Sequence, residues 1–176
     1  GGADVITASG RLVIDAVTGV GNGGALETTV ASVDIDNATS GNIEISETNA
    51  ITVFKAVQGT AGNISLAAGG TITVDNAGAG NAIAAAGTGT VTLDANGAAS
   101  DLLVNDGILS VNGAITLTAD NDVTFLATGD IASTAGAISV RADADNGGTS
   151  SGALTMVNGT VINAGSGTIA LLADEN

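Results

Sequence analysis

The sequence predicts an all-β parallel β-helix, a β-solenoid of about seven coils with three short strands each and a coil period of 21–31 residues. Three observations predict it. A Gly-x-aliphatic-x-aliphatic opening recurs at Gly41, Gly62, Gly89, Gly113, Gly136 and Gly167, with a degenerate copy at Gly10. Apolar and polar residues alternate with period 2 after each opening, which is the repeat of a half-buried strand. No stretch keeps apolar residues three and four apart, so helix signals are missing.

Each strand of the coil follows from its own residues. The first apolar residues of the openings are Leu12, Ile43, Ile64, Val91, Ile115, Ile138 and Ile169, at intervals of 31, 21, 27, 24, 23 and 31. Self-similar content at such a period means stacked units. Inward columns are then expected along Ile43, Ile64, Val91, Ile115, Ile138 and Ile169, and beside them along Ile45, Leu66, Leu93, Leu117, Val140 and Leu171. A second alternation starts at Ile51, Ile72, Leu102, Val123 and Leu154. A third, weaker apolar site follows at Val57, Ile83, Ile108, Ile131 and Val161, and the next opening comes 7 or 8 residues later each time. Glycine before each strand is read as a corner at φ values that other residues avoid. Asp and Asn at the turns serve through side-chain to backbone bonds. Proline is absent, as strands that pair on both sides require. The longer loops are Thr18–Thr28, Asp75–Asn81 and Ala142–Gly152, rich in Gly and Ser and expected at the surface. The pattern resumes in register after each. Residues 1–176 therefore read as one solenoid segment, of a longer repeat protein.

Composition narrows the function. Eighteen acids face three basic residues, Arg11, Lys55 and Arg141, for a net charge of −15. Such a field repels phosphate backbones and anionic lipid, so neither nucleic acid nor insertion into a membrane is expected. No apolar run reaches the roughly 20 residues of a helical span. There is no His, Cys, Trp or Tyr, and the core has to be built from Val, Ile, Leu and Ala.

The Gly-x-Ile-x-Leu openings, the imperfect coil of twenty-odd residues and the Cys-free composition resemble the β-helical stalks of large bacterial surface and secreted adhesins. These are of the filamentous haemagglutinin and autotransporter passenger type. The likeness covers Gly10 to Asp174. It implies an extracellular or cell-surface location and a spacer, adhesion or fibre role, and it carries no functional-residue motif.

Candidate sites are few. Asp143, Asp145 and Asn146 in one turn, and Asp34 and Asp36 in another, offer the hard oxygen ligands that suit Ca2+. Neither turn supplies a Glu at the twelfth loop position, and turn formation alone accounts for the same residues. Otherwise no cofactor is expected. A glycosidase would need two carboxylates roughly 5–10 Å apart. Glu44, Asp94, Asp120 and Asp122 are the outward acids, but no aromatic platform and no histidine base accompany them. Arg141 beside Asp143 reads as a surface ion pair. Threonine pairs such as Thr90 and Thr92 do not form a regular array of the kind that binds ice. Phe54 follows the inward pair Ile51 and Val53, and should point outward.

These features give a non-enzymatic structural or adhesive segment, a stiff rod whose partners are neighbouring coils or copies of itself end to end. The alternatives are a module binding host glycan or protein through the long loops, and a polysaccharide-degrading enzyme.

Overall fold

The computed structural model describes residues 2–21, 23–76, 78, 80–145 and 152–173. The chain winds into a parallel β-solenoid of about six turns, and no helix forms among these residues. Two long strands come first, β1 (Val5–Ala16) and β2 (Leu26–Asn37), followed by β3 (Ile43–Glu47) and β4 (Ile51–Gln58). Short strands then come in threes: β5 (Ile64–Ala68), β6 (Ile72–Val74) and β7 (Ile83–Ala85), then β8 (Val91–Ala95), β9 (Leu102–Val104) and β10 (Ile108–Ser110). The next coils are β11 (Ile115–Ala119), β12 (Val123–Phe125) and β13 (Ile131–Ser133), then β14 (Ile138–Ala142), β15 (Leu154–Met156) and β16 (Ile162–Asn163). The last strand is β17 (Ile169–Ala173).

Every strand pairs in parallel with its counterpart one coil away, and this gives the tube three walls. The first wall runs β3–β5–β8–β11–β14–β17, with Ile43, Ile64, Val91, Ile115, Ile138 and Ile169 in one row. On the second wall, Ile51, Ile72, Leu102, Val123 and Leu154 form a single row. Both columns are those the alternation predicts. Within the first wall, successive coils are joined by main-chain bonds that repeat from coil to coil. Ile43, Ile64, Val91, Ile115 and Ile138 each donate their N–H to a carbonyl of the following coil, at Asn63, Thr90, Ala114, Ala137 and Thr168, over 2.8–3.0 Å. Inward side chains on β5 to β14 are buried in an interior that is aliphatic apart from Phe125 of β12, which the expected Val, Ile, Leu and Ala core leaves out, and the corner residues Ser110 and Ser133; stacked β-branched and leucine side chains pack well there.

The third wall corrects the expected column. Ile83, Ile108 and Ile131 lie in it, but the places expected for Val57 and Val161 are taken by Ala56 and Ile162, and the column continues from Ala56 to Ile35 and Ile14. The pairing of β2 with β4 shifts between Val33 and Asp34, so that Phe54 is an extra residue at the corner. A bulge of one residue flips the side-chain parity after it. Ala56 and Gln58 therefore point inward, and Val57 faces out. At Phe54 itself the outward reading holds, and the Arg11 guanidinium lies 4.0 Å from the ring centroid.

The expected degenerate opening at Gly10 is also corrected. Leu12 pairs with Val33, and Val33 with Val53, so Leu12 belongs to the second wall. The first-wall position equivalent to Ile43 is taken by Val20, which is buried. Leu26 sits opposite Ile45, so the first wall is met again at Leu26, beside the place where Val20 left it. The surface placement expected for Thr18–Thr28 and Ala142–Gly152 fails in part, because Val20, Thr28, Ala142 and Asp143 are buried.

The glycine openings form one stack, for a reason other than the expected one. A Cβ built on Gly62, Gly89, Gly113, Gly136 or Gly167 would fall within 3.0 Å of the carbonyl oxygen of the glycine one coil before, closer than real Cβ atoms approach. Of these five, only Gly62 has a positive φ, of 141°. Space rather than backbone freedom therefore requires glycine at most of the openings.

Candidate functional site

Strand parity decides where each candidate side chain lies. Asp34 and Asp36 flank the inward Ile35 on β2, so both carboxylates face out. They do not converge on a common point. Asp34 Oδ2 is 3.6 Å from the Arg11 guanidinium, and Asp36 Oδ2 is 2.5 Å from Lys55 Nζ. The long strands β1, β2 and β4 are thus laced by ion pairs on their outer face. Lys55 has its pKa raised, first by its bond to Asp36 and then by the charges of Asp36, Asp34 and Asp15, against a desolvation that lowers it.

The second Ca2+ candidate splits apart. Asp143 is fully buried, with φ at +54°, and neither of its carboxylate oxygens has a hydrogen-bond partner. The surface pair expected between Arg141 and Asp143 is not the setting that the fold gives this aspartate. Asp145 is exposed and engaged in an interaction of its own, and Asn146 lies outside the described residues. Among the described residues, no group of three or more acidic, His or Cys side chains is arranged to hold a metal ion.

The outward acids weighed for catalysis are engaged in turn and ladder bonds. Glu44 Oε1 accepts from Asn42 Nδ2 at 2.8 Å, and Asp94 accepts from Asn96 Nδ2 at 2.8 Å and Thr118 Oγ1 at 2.7 Å. Asp120 Oδ2 accepts from the Gly97 N–H at 2.6 Å, and Asp122 Oδ1 from the Ala153 N–H at 2.7 Å. Two surface grooves, of about 290 and 470 Å3, lie near the N-terminal coils. The first is lined by Thr, Asn and aliphatic side chains, and the second has Glu27 as its titratable group. Neither brings together the two carboxylates of a glycosidase or the acid and base of a lyase.

Buried polar residues at the corners were not singled out in the sequence. Glu47 ends β3, 3% exposed, and its carboxylate is fully served. Oε2 accepts from Thr28 Oγ1 at 2.7 Å and the Val30 N–H at 3.0 Å, and Oε1 from the Asn49 N–H at 3.0 Å. At the corner after the third wall, Asn37 Nδ2 donates to Gln58 Oε1 at 2.7 Å, and Gln58 Nε2 donates to the Gly41 carbonyl at 2.8 Å. In later coils, Ser110 Oγ donates to the Gly89 carbonyl at 2.7 Å and Ser133 Oγ to the Gly113 carbonyl at 3.0 Å. These side chains tie the end of the third strand to the glycine that opened the coil. Parity was the available signal: Glu47, Ser110 and Ser133 each lie two residues beyond an inward aliphatic residue.

The architecture defines a parallel β-solenoid repeat protein. Comparison with protein-family models, curated proteins and solved structures finds no match to the chain.

Proposed function

We propose that the chain is a non-enzymatic structural segment of an extracellular bacterial surface protein or filament, a stiff rod that projects or joins other parts through its ends. The observation that carries this reading is the uninterrupted interior. Six rungs from Ile43 to Ile169 lie in one row, and those from Ile43 to Ile138 are 0–1% exposed. Close-packed interiors of this kind resist deformation. The acidic surface supports solubility outside a fibre. Negative-stain microscopy of the chain should show rods, alone or end to end. A compact, featureless globule in the same images would end the proposal.

A second reading, a module that binds glycan or host protein, is favoured by Val20 and Leu26 keeping adjacent first-wall places, opposite Ile43 and Ile45, although they are six residues apart in sequence. Binding on a glycan array that disappears when residues 21–25 are shortened would support that reading over the first. Enzymatic activity on acidic polysaccharides remains the third proposal, read by a depolymerase assay.

A further inference from the structure

The flanks of the tube differ in charge. Between Val57 and Val140 every charged residue is an aspartate, and each lies on the first wall or at a corner bordering the second. None faces out from β7, β10 or β13. The outward row of this third wall is Val57, Ala84, Leu109 and Ala132. Large and small side chains alternate along it. At the edge of the wall the Val111 N–H donates to the Ala85 carbonyl, which sets Val111, 38% exposed, beside Ala86. At the other edge Ala56, Ile83 and Ile108 donate their N–H to the carbonyls of Ala82, Gly107 and Asp130 over 2.8–3.3 Å. Lys55, Ala82, Gly107 and Asp130 therefore share one column.

We propose that two copies of the chain pair side by side through the third wall, running in opposite directions, about a two-fold axis between β7 and β10. A two-fold contact is isologous, so each meeting of residues occurs twice. This axis sets Leu109 against Ala84 of the second copy, and Val57 against Ala132. Each bulky side chain then meets a small one, as facing sheets need in order to interdigitate. Val111 meets Ala86 in the same way. Lys55 meets Asp130, a charge of opposite sign. Asp36, next in the row beyond Val57, meets Asn163, next beyond Ala132, and not a second acid.

Other placements lose this fit. With the axis on β10, Leu109 would face itself and Ala84 would face Ala132 across a gap. Contact through the first or second wall would bring the aspartate corners of two chains together, each chain carrying a net charge of −15. The matched rungs span only roughly 15 Å at the usual strand spacing, so the contact belongs to the small, weak class, with a dissociation constant on the order of 0.1 mM. It lies on the flank and is independent of what the ends of the rod join.

The test is sedimentation equilibrium of the whole chain at about 0.15 M salt, where charges more than about 8 Å apart are screened. A monomer–dimer equilibrium is expected. Ala84→Leu should weaken it at least about fivefold, because a leucine there meets Leu109 of the second copy. Adding Leu109→Ala to that variant exchanges large and small within the row, and should restore pairing to within about twofold of the parent. Thermal melts of dilute Ala84→Leu should match the parent, since the side chain points away from the core. A chain still monomeric at about 1 mM, a dimer indifferent to Ala84→Leu, or a loss that the double variant does not recover overturns the pairing. Each of these results would leave single rods in micrographs untouched, so the pairing and the rod reading fail separately.

Discussion

Two carboxylates are buried where the first wall turns into the second, four coils apart, in opposite circumstances. Glu47 closes β3 and accepts three hydrogen bonds, from Thr28, Val30 and Asn49. Asp143 follows directly on β14, and none of its carboxylate hydrogen-bonding capacity is met. The column that begins at Glu47 runs on through Ala68, Ala95, Ala119 and Ala142, which need no partner at all, and Asp143 lies one residue beyond it. The difference teaches what the corner tolerates. The cost of burying a carboxylate is offset fully where the previous coil and the following turn both present donors, as at Glu47, because a buried polar group without partners loses its hydration without replacement. Alanine is the default, Glu47 is a locally supported exception, and Asp143 is buried one residue further on without such donors.

The harshest way to break the comparison is to write the exception into a coil without the donors. Ala95→Glu places a carboxylate between Ala68 and Ala119, and neither offers a hydroxyl like that of Thr28. The turn N–H that would correspond to Asn49, at Gly97, is already given to Asp120. Crowding and unpaired charge together should cost about 4 kcal/mol or more, read as a collapse of the urea midpoint or failure to fold. Glu47→Ala tests the reverse. It leaves the Thr28 hydroxyl and the Val30 N–H buried without an acceptor, and should cost about 3 kcal/mol in equilibrium unfolding. A loss below about 1 kcal/mol would mean that water reaches this corner and replaces the carboxylate.

These corners mark the boundary of what the residues announce. The aliphatic columns of the first two walls are legible because strict alternation behind a glycine fixes parity, and parity fixes which side chains face in. Reading fails where parity is broken. The extra residue at Phe54 moves the third-wall column from Val57 to Ala56, and nothing in Phe54-Lys55-Ala56-Val57 marks the bulge. Val20 and Leu26 both face the first wall, yet the break between them hides it, so Gly10–Ile14 looks like the missing opening. Among the site candidates, Asp34 and Asp36 look like paired ligands in the sequence. Their cations, Arg11 and Lys55, come from strands 23 and 19 residues away, a proximity that only the coil stacking creates. For Asp143, burial depends on a left-handed φ directly after an inward alanine, and local composition does not encode that.

A milder substitution sharpens the Asp143 side of the comparison. Asn tolerates the left-handed region as well as Asp does, so Asp143→Asn keeps the backbone and removes the charge. In chelator at neutral pH this variant should be more stable than the parent by about 1 kcal/mol, since a neutral amide is less costly to bury than an ionised carboxylate. Thermal melts of both proteins with Ca2+ and with chelator check it. If Ca2+ raises the parent's midpoint and leaves Asp143→Asn unmoved, the carboxylate is paired by a cation and the expected sign reverses.

The smallest effect belongs to the carboxylates that found cations on the outer face. Lys55 has its pKa raised above the ordinary 10.5, chiefly by its bond to Asp36. A raised folded value means that the pair contributes fully below the unfolded pKa, and that the contribution is lost as pH rises through the folded one. Stability should therefore show no slope from this pair between neutrality and about pH 10, then a decline at higher pH. Lys55→Met should remove that decline. Its cost at neutral pH should be only about 0.5 kcal/mol, because the Lys55 and Asp36 side chains are 39% and 42% exposed and water screens them. Urea midpoints at pH 7, 9.5 and 11 for both proteins are the measurement. An equal alkaline loss in the two would place its origin in the main chain or the overall negative charge, and would leave the outer ion pairs with no measurable share in holding β2 to β4.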